Sequence, residues 1–190
     1  MDIHVLTKDE AEIYLELRVE GLKQNPEAFS SSYEDIINKE CAIEYKAQKL
    51  AQDENYTLGA FKDGKLIGVA TLETKPYVKQ EHKAKIGSVY VSPKARGLGA
   101  GKALIKECLE LAKSLEVEQV MLDVVVGNDG AKKLYESLGF KTFGVQERSL
   151  KYNGQYWDEE HMVLFLDENK YKKHPHVWRM FLLSGKPCRV

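Results

Sequence analysis

The 190-residue sequence predicts an α/β (α+β) chain built on one central mixed, mostly antiparallel sheet of seven strands, flanked by about four helices. Three observations carry that expectation. Asp63-Gly64 and Asn153-Gly154 each stand between two strand-like runs, the pattern of tight antiparallel hairpins. Between these hairpins, a run ending at Val91 passes through the glycine-rich segment Gly97-Leu98-Gly99-Ala100-Gly101 into an amphipathic helix. That helix leads to the nearly all-apolar run 119–126, and strand–helix–strand order of this kind gives a parallel pair with a right-handed crossover.

Each element has its own local reason. A short strand over 3–6 precedes Thr7-Lys8-Asp9-Glu10, a capping box that starts a helix with Ala11, Tyr14, Leu15 and Leu22 on its apolar stripe and an end near Asn25-Pro26. Ser30-Ser31-Ser32 supplies caps for a second, less regular helix over about 33–52. Strands over 56–61 and 66–72 flank the first hairpin turn. The fourth strand, about 84–91, contains Gly87, and a glycine inside a strand predicts a bulge there. After the glycine-rich turn, Leu104, Cys108, Leu111, Ala112 and Leu115 share one helix face. The fifth strand reads as covered on both faces, and a helix over 129–138 stops at Gly139. Strands over 141–152 and 155–166 close the sheet. The pattern breaks after Leu166, so a single domain over 1–167 is expected, followed by a basic aromatic tail over 168–190 that packs loosely or joins an oligomer contact.

Composition narrows the partners. With 28 Lys and Arg against 29 Asp and Glu the net charge is -1, so no global field favours nucleic acid or an anionic membrane, and neither is expected as a partner. Cys41, Cys108 and Cys188 lie far apart, with neither metal-ligand spacing nor a disulfide framework, which predicts no metal and a reducing, cytoplasmic location. The start, Met1-Asp2-Ile3-His4, lacks a basic region followed by an apolar run, and no run of eighteen apolar residues occurs; a chain neither exported nor membrane-spanning is expected.

The segment Val91 to Ala103 reads as a phosphate-binding turn, because free backbone N–H groups and the positive end of a helix dipole meet there. Its register excludes two common signatures. Counting back from Gly101-Lys102 as a P-loop puts Arg96 where the first glycine belongs, and Ala103 follows the lysine. A dinucleotide fingerprint starting at Gly97 requires glycine at 102, where Lys102 stands. What remains is Arg96-x-x-Gly99-x-Gly101 after a Val-x-Pro strand end.

That pattern, together with Asn128-Asp129-Gly130-Ala131-Lys132-Lys133-Leu134-Tyr135-Glu136-Ser137-Leu138-Gly139-Phe140, resembles the two signatures of the GNAT superfamily of N-acetyltransferases. The resemblance implies the GNAT fold, in which the parallel strand pair splays to open a crevice. It also implies acetyl-CoA as co-substrate and direct transfer of the acetyl group to a primary amine of a small molecule or peptide, in a ternary complex. Two other tasks are compatible with it: acetylation of a protein or its amino terminus, and acyl-CoA binding without transfer. A homodimer is common in this family. By the same resemblance the backbone of Val89, Tyr90 and Val91 pairs with the pantetheine arm, and Arg96, Gly97, Leu98, Gly99, Ala100, Gly101 and Lys102 wrap the pyrophosphate. Asn128 and Ala131 of the second signature complete the cofactor contacts, although an asparagine at that point also reads as a helix cap.

Acyl transfer from a thioester to an amine needs an uncharged amine, a polarised carbonyl and a proton for the departing thiolate. Tyr135 stands where the family keeps the tyrosine that serves the thiolate; its other reading is a core aromatic. The carbonyl falls to an N–H of the fourth strand, that of Val89. Asp123 lies five residues before Asn128, where the related ribosomal-protein N-terminal acetyltransferases carry a glutamate proposed as the base; it reads equally as a structural hydrogen-bond partner. Glu73, Glu81 and His82 are held in reserve for that role. Phe29, Tyr33, Tyr152, Tyr156 and Trp157 are expected to form an aromatic acceptor site, and His161, within an apolar run, to be core.

Overall fold

The computed structural model describes residues 1–52 and 54–166, in which seven strands form one sheet in the order β1-β2-β3-β4-β5-β7-β6. The strands are β1 (Asp2–Val5), β2 (Asn55–Lys62), β3 (Lys65–Thr74), β4 (Lys83–Val91), β5 (Gln119–Val125), β6 (Lys141–Tyr152) and β7 (Gln155–Phe165). Both hairpins form where their turns predict: Asp63 and Gly64 take positive φ of 51° and 74°, Asn153 and Gly154 of 48° and 80°, the combination that matches strand twist. All neighbouring pairs are antiparallel except β4–β5, as the strand–helix–strand order requires. The expected tail over 168–190 lies outside the described residues.

Five α-helices cover the sheet: α1 (Ala11–Gln24), α2 (Glu34–Ile37), α3 (Ala42–Leu50), α4 (Ala100–Ser114) and α5 (Asp129–Ser137). The second helix expected over 33–52 is therefore two, divided by a turn in which Cys41 adopts a left-handed φ of 55°. Thr7 and Glu10 do make the predicted capping contacts, Glu10 Oε2 accepting from Thr7 N at 2.8 Å and Thr7 Oγ1 at 3.2 Å, although a 3-10 turn precedes α1. α4 packs on β2, β3 and β4, burying Leu104, Ile105, Cys108 and Ala112 completely. Its buried face is rotated from the expected one: Ile105 and Leu109 are buried, and Leu115 is exposed. At roughly 1.5–3 kcal/mol for a fully buried leucine-sized side chain, this contact anchors the helix behind the glycine-rich turn.

The opposite face carries a second core, in which Leu6, Tyr14, Leu17 and Leu50 meet Val69 and Tyr90. Gly21 on α1 exists for this contact, since a Cβ there would lie 3.0–3.2 Å from three ring atoms of Tyr90.

Two features open the sheet. β4 and β5 pair only over Lys83–Lys85 and Gln119–Met121, after which the strands part. On its other side β4 pairs Gly87 with Thr71 and Tyr90 with Val69, which leaves Ser88 and Val89 together opposite Ala70. That is the expected bulge, with the left-handed residue at Ser88 (φ 52°) beside Gly87.

Candidate active site

A cavity of about 1020 Å³ fills the opening between β4 and β5. One wall is the β4 main chain from Ile86 to Val91, whose β5-facing edge has no ladder partner among the described residues. The other wall is β5 from Asp123 onward, with Gly127, Asn128, Ala131, Leu134 and Tyr135. Its mouth is the start of α4. Gly97 and Gly99 take φ of 80° and 78°, and Gly99 as N-cap delivers the chain into the helix with the first-turn N–H groups unpaired by helical bonds. Gly101 differs: a Cβ there would meet only ordinary contacts, Leu134 at 3.5 Å and Val91 at 3.6 Å. Packing does not demand glycine at 101.

Most of the residues singled out from the sequence meet here. Val89, Tyr90, Val91, Arg96, Gly97, Gly99, Ala100, Gly101, Lys102, Asn128 and Ala131 all line the cavity; Leu98 does not, and is half exposed. Arg96 reaches across the mouth to Asn25, its Nη2 donating to Oδ1 at 3.3 Å. Tyr90 turns its ring into the second core and donates its hydroxyl to Glu20 Oε1 at 2.9 Å, so only its backbone faces the cleft edge. Asn128 Oδ1 accepts from Ala131 N at 3.3 Å; the side chain caps α5 and lines the cavity at once. α5 is pinned from below by Lys132, whose Nζ donates to Glu160 Oε1 at 2.8 Å.

Tyr135 is 5% exposed, and its ring meets Phe140 edge-on at 6.1 Å. Burial pushes its phenol up to about 12, so the hydroxyl keeps its proton at neutral pH, and the residue lines the cavity.

Asp123 also lines the cavity, but its carboxylate is engaged. Lys85 Nζ lies 2.5 Å from Oδ2, and His161 Nδ1 donates to Oδ1 at 2.7 Å. Burial acts to raise its pKa; the hydrogen bonds from His161 and Lys85 overcome that and hold it below the usual aspartate value. His161 is thus not the core residue expected. Its register opposite Asp123 on β7 sets it on the open sheet face, where its ring stacks with Phe143 at 6.0 Å. Glu73, Glu81 and His82 do not line the cavity.

A second cavity of about 380 Å³ adjoins the first. Phe29 and Trp157 line both, and Tyr152 lines the second, its hydroxyl 3.2 Å from the Glu34 carboxylate. Tyr33 and Tyr156 line neither: Lys23 sits over the Tyr33 ring at 4.6 Å, and Tyr156 is exposed between Arg148 and Lys151. The sequence reading missed Ser88, Leu134 and Gly127, of which only the glycine (φ 96°) carried a local signal. Among the described residues, no group of three or more His, Cys, Asp or Glu is placed to hold a metal ion, and no helix is long and apolar enough to cross a membrane.

A seven-stranded sheet opened between two parallel strands, with a helix start at the mouth, is the fold class of the GNAT N-acetyltransferases. The ribosomal-protein-alanine N-acetyltransferase of Brucella melitensis superposes with a TM-score of 0.73 at 23% identity, over 87% of this chain and all of that one. An acetyltransferase of Salmonella typhimurium solved with acetyl-CoA does so with a TM-score of 0.74 at 21% identity, over 88% and 95%. The model of the acetyltransferase (GNAT) family matches residues 22–140, and the chain belongs to that family. Among curated relatives, the N-alpha-acetyltransferase RimI of Mycobacterium tuberculosis is 32% identical over 111 residues, 56% of this chain and 65% of that protein. The L-amino acid N-acetyltransferase AaaT of Escherichia coli is 30% identical over 102 residues, 53% of this chain and 62% of that protein. The chain spans less than two thirds of the length of either.

Proposed function

We propose that the chain is an acetyl-CoA-dependent N-acetyltransferase that moves the acetyl group directly to a primary amine of a small molecule or peptide, within a ternary complex. The observation that carries this reading is the unpaired β4 edge over Ile86–Val91, which runs directly to the unpaired N–H groups of α4. An extended pantetheine arm pairs with such an edge as a strand would, and a pyrophosphate suits a helix start opened by two positive-φ glycines. Asn128 and Ala131 bound the arm on the β5 side. The names of both curated relatives support an amine acceptor.

When bound, the coenzyme supplies an activated thioester. The bulge at Ser88 frees the Val89 N–H from the ladder to polarise the carbonyl oxygen. Tyr135, protonated and on the opposite wall, donates a hydrogen bond to the departing thiolate and stabilises it until it takes a proton from solvent. Of the pair Asp123–His161, the imidazole takes the proton lost by the amine at its Nε2, through solvent, and the aspartate, which accepts from Nδ1 at the cavity wall, stabilises the imidazolium that results. Phe29, Trp157 and Tyr152 border the acceptor.

Calorimetry with acetyl-CoA tests the first requirement: saturable one-to-one binding is expected. A thiol reagent then follows coenzyme A release as a panel of primary amines is added. No heat at millimolar acetyl-CoA would remove this function; binding without any amine-dependent thiol release would leave an acyl-CoA-binding module.

A further inference from the structure

Among the described residues, the one fully buried side-chain nitrogen or oxygen without a hydrogen-bond partner is Nη1 of Arg18. Arg18 lies on the face of α1 turned toward the sheet and is only 6% exposed. Its Nη2 donates to Ser31 Oγ at 3.0 Å, and its guanidinium carbon stands 4.2 Å from the centroid of the Phe29 ring. No carboxylate among the described residues pairs with it. Burial lowers its pKa, and no acid beside it acts against that.

A second cation shares the site. Lys46 Nζ lies 5.7 Å from the Tyr14 ring centroid, and burial, together with the charges of Arg18, Lys39 and Lys49, brings its pKa down to about 8. Lys46 feels the charge of Arg18, neither cation has an ion-pair partner among the described residues, and the nearest acid acting on this cluster is Glu73, felt at Tyr14; buried charges in proteins are ordinarily paired. A site with this imbalance is built for an anion.

Its position says whose anion. Phe29, against which the guanidinium stacks, lines both cavities, and Ser31, which accepts from it, lines the smaller one. Tyr14, one turn before Arg18, has Ser88 of the β4 bulge as a polar neighbour of its hydroxyl. Arg18 itself lines neither cavity; it stands directly behind Phe29 and Ser31, the two side chains of the acceptor wall that its guanidinium touches. The carboxylates that line the smaller cavity are already engaged: Asp35 accepts from Ser32 N at 2.7 Å, and Glu27 from Asn25 Nδ2 at 3.3 Å. A guanidinium with free donors in a planar fork matches a carboxylate.

We propose that Arg18, with Ser31 and Lys46 beside it, binds the carboxylate of the acceptor, so that the acceptor is an amino acid or a related amine that carries a carboxylate. This rests on the acetyltransferase reading and adds the class of amine. Binding an anion here satisfies Nη1 and returns Lys46 toward its ordinary protonation.

The test is a set of initial rates of coenzyme A release with three series: free L-amino acids, their carboxamides, and O-phosphoethanolamine with simple alkylamines. The best free amino acid is expected to exceed its carboxamide by about 100-fold in kcat/KM, the scale of losing one partner of a buried charge pair. Arg18→Gln should lower kcat/KM for the acid by about the same factor and leave the carboxamide within about 3-fold. Ser31→Ala, which leaves the charge in place, should lower the acid's value by about 10-fold or less. Carboxamides, alkylamines or O-phosphoethanolamine matching the acids in the unaltered protein would overturn the proposal, with no variant needed. So would an Arg18→Gln protein that loses both series alike, or acceptance of no amine while acetyl-CoA still binds. Failure of acetyl-CoA to bind removes the acetyltransferase reading itself, which separates the two failures.

Discussion

Tyr135 combines two properties that seldom meet in one side chain: it is buried against Phe140 with its phenol held at about 12, and it borders a cavity large enough for a coenzyme. A phenol in that state keeps its proton, and its hydrogen-bond donor, at every pH used for assay. Tyr135→Phe keeps the ring contacts and removes the donor. Turnover is therefore expected to fall by about 100-fold while the acetyl-CoA dissociation constant stays within about 2-fold, read from saturation kinetics and calorimetry. Equal losses in rate and affinity would assign the hydroxyl to binding instead. Tyr135 was legible because its neighbours Asn128 and Gly139-Phe140 stand in a recognisable register. Arg18 was not: nothing local distinguishes it from a surface arginine, and only Phe29 and Ser31, brought over it by the turns after α1, make it a buried cation. Tyr33 failed for the opposite reason, since an aromatic side chain satisfied by a neighbouring lysine looks in sequence like one waiting for a ligand.

At the scale of elements, local chemistry made the strands readable and tertiary contacts decided the rest. Asp-Gly and Asn-Gly turns set both hairpins where expected, because few other pairs adopt two successive positive φ angles at little cost. The break between α2 and α3 gave no such sign. It falls at Cys41, a residue with no preference for the left-handed region, and it lets α3 turn onto β2 and α1. The bulge in β4 likewise settled on Ser88 rather than on Gly87 itself. The start of α4 separates folding from binding most cleanly. Gly101→Ala adds a methyl that protein packing accepts at 3.5–3.6 Å, and alanine favours a helix over glycine by up to about 1 kcal/mol. Thermal stability should hold or rise, while acetyl-CoA affinity falls about 10-fold or more as the methyl occupies the ligand's approach. A variant with unchanged affinity would mean that the pyrophosphate is held elsewhere.

Across the whole molecule, the cleft that makes the site also divides the sheet, with β1–β4 on one side and β5–β7 on the other, joined by three residue pairs of parallel ladder, by one core that holds Leu104 and Ile105 together with Val120, Leu122 and Met162, and by the Tyr152–Glu34 hydrogen bond. The Lys85–Asp123 ion pair sits at the end of that ladder, where the strands part, and His161 ties the same carboxylate to β7. Asp123 is therefore a joint between the halves as well as a cavity wall. Its pKa is lowered from 3.8 in the folded chain, so below that value the unfolded chain binds more protons. The stability it contributes is complete above about pH 5 and is lost as pH falls through the depressed folded value. Asp123→Asn keeps the shape and removes the charge. Stability at pH 7 should drop by on the order of 1 kcal/mol or less, because the Lys85 side chain is 42% exposed and the pair is partly screened. Denaturant titrations of both proteins between pH 3 and 7 should show the gap narrowing on acidification, and hydrogen exchange at residues 83–86 and 119–123 should quicken in the variant at neutral pH. A constant gap across that range would mean that the carboxylate does not bear on the joint.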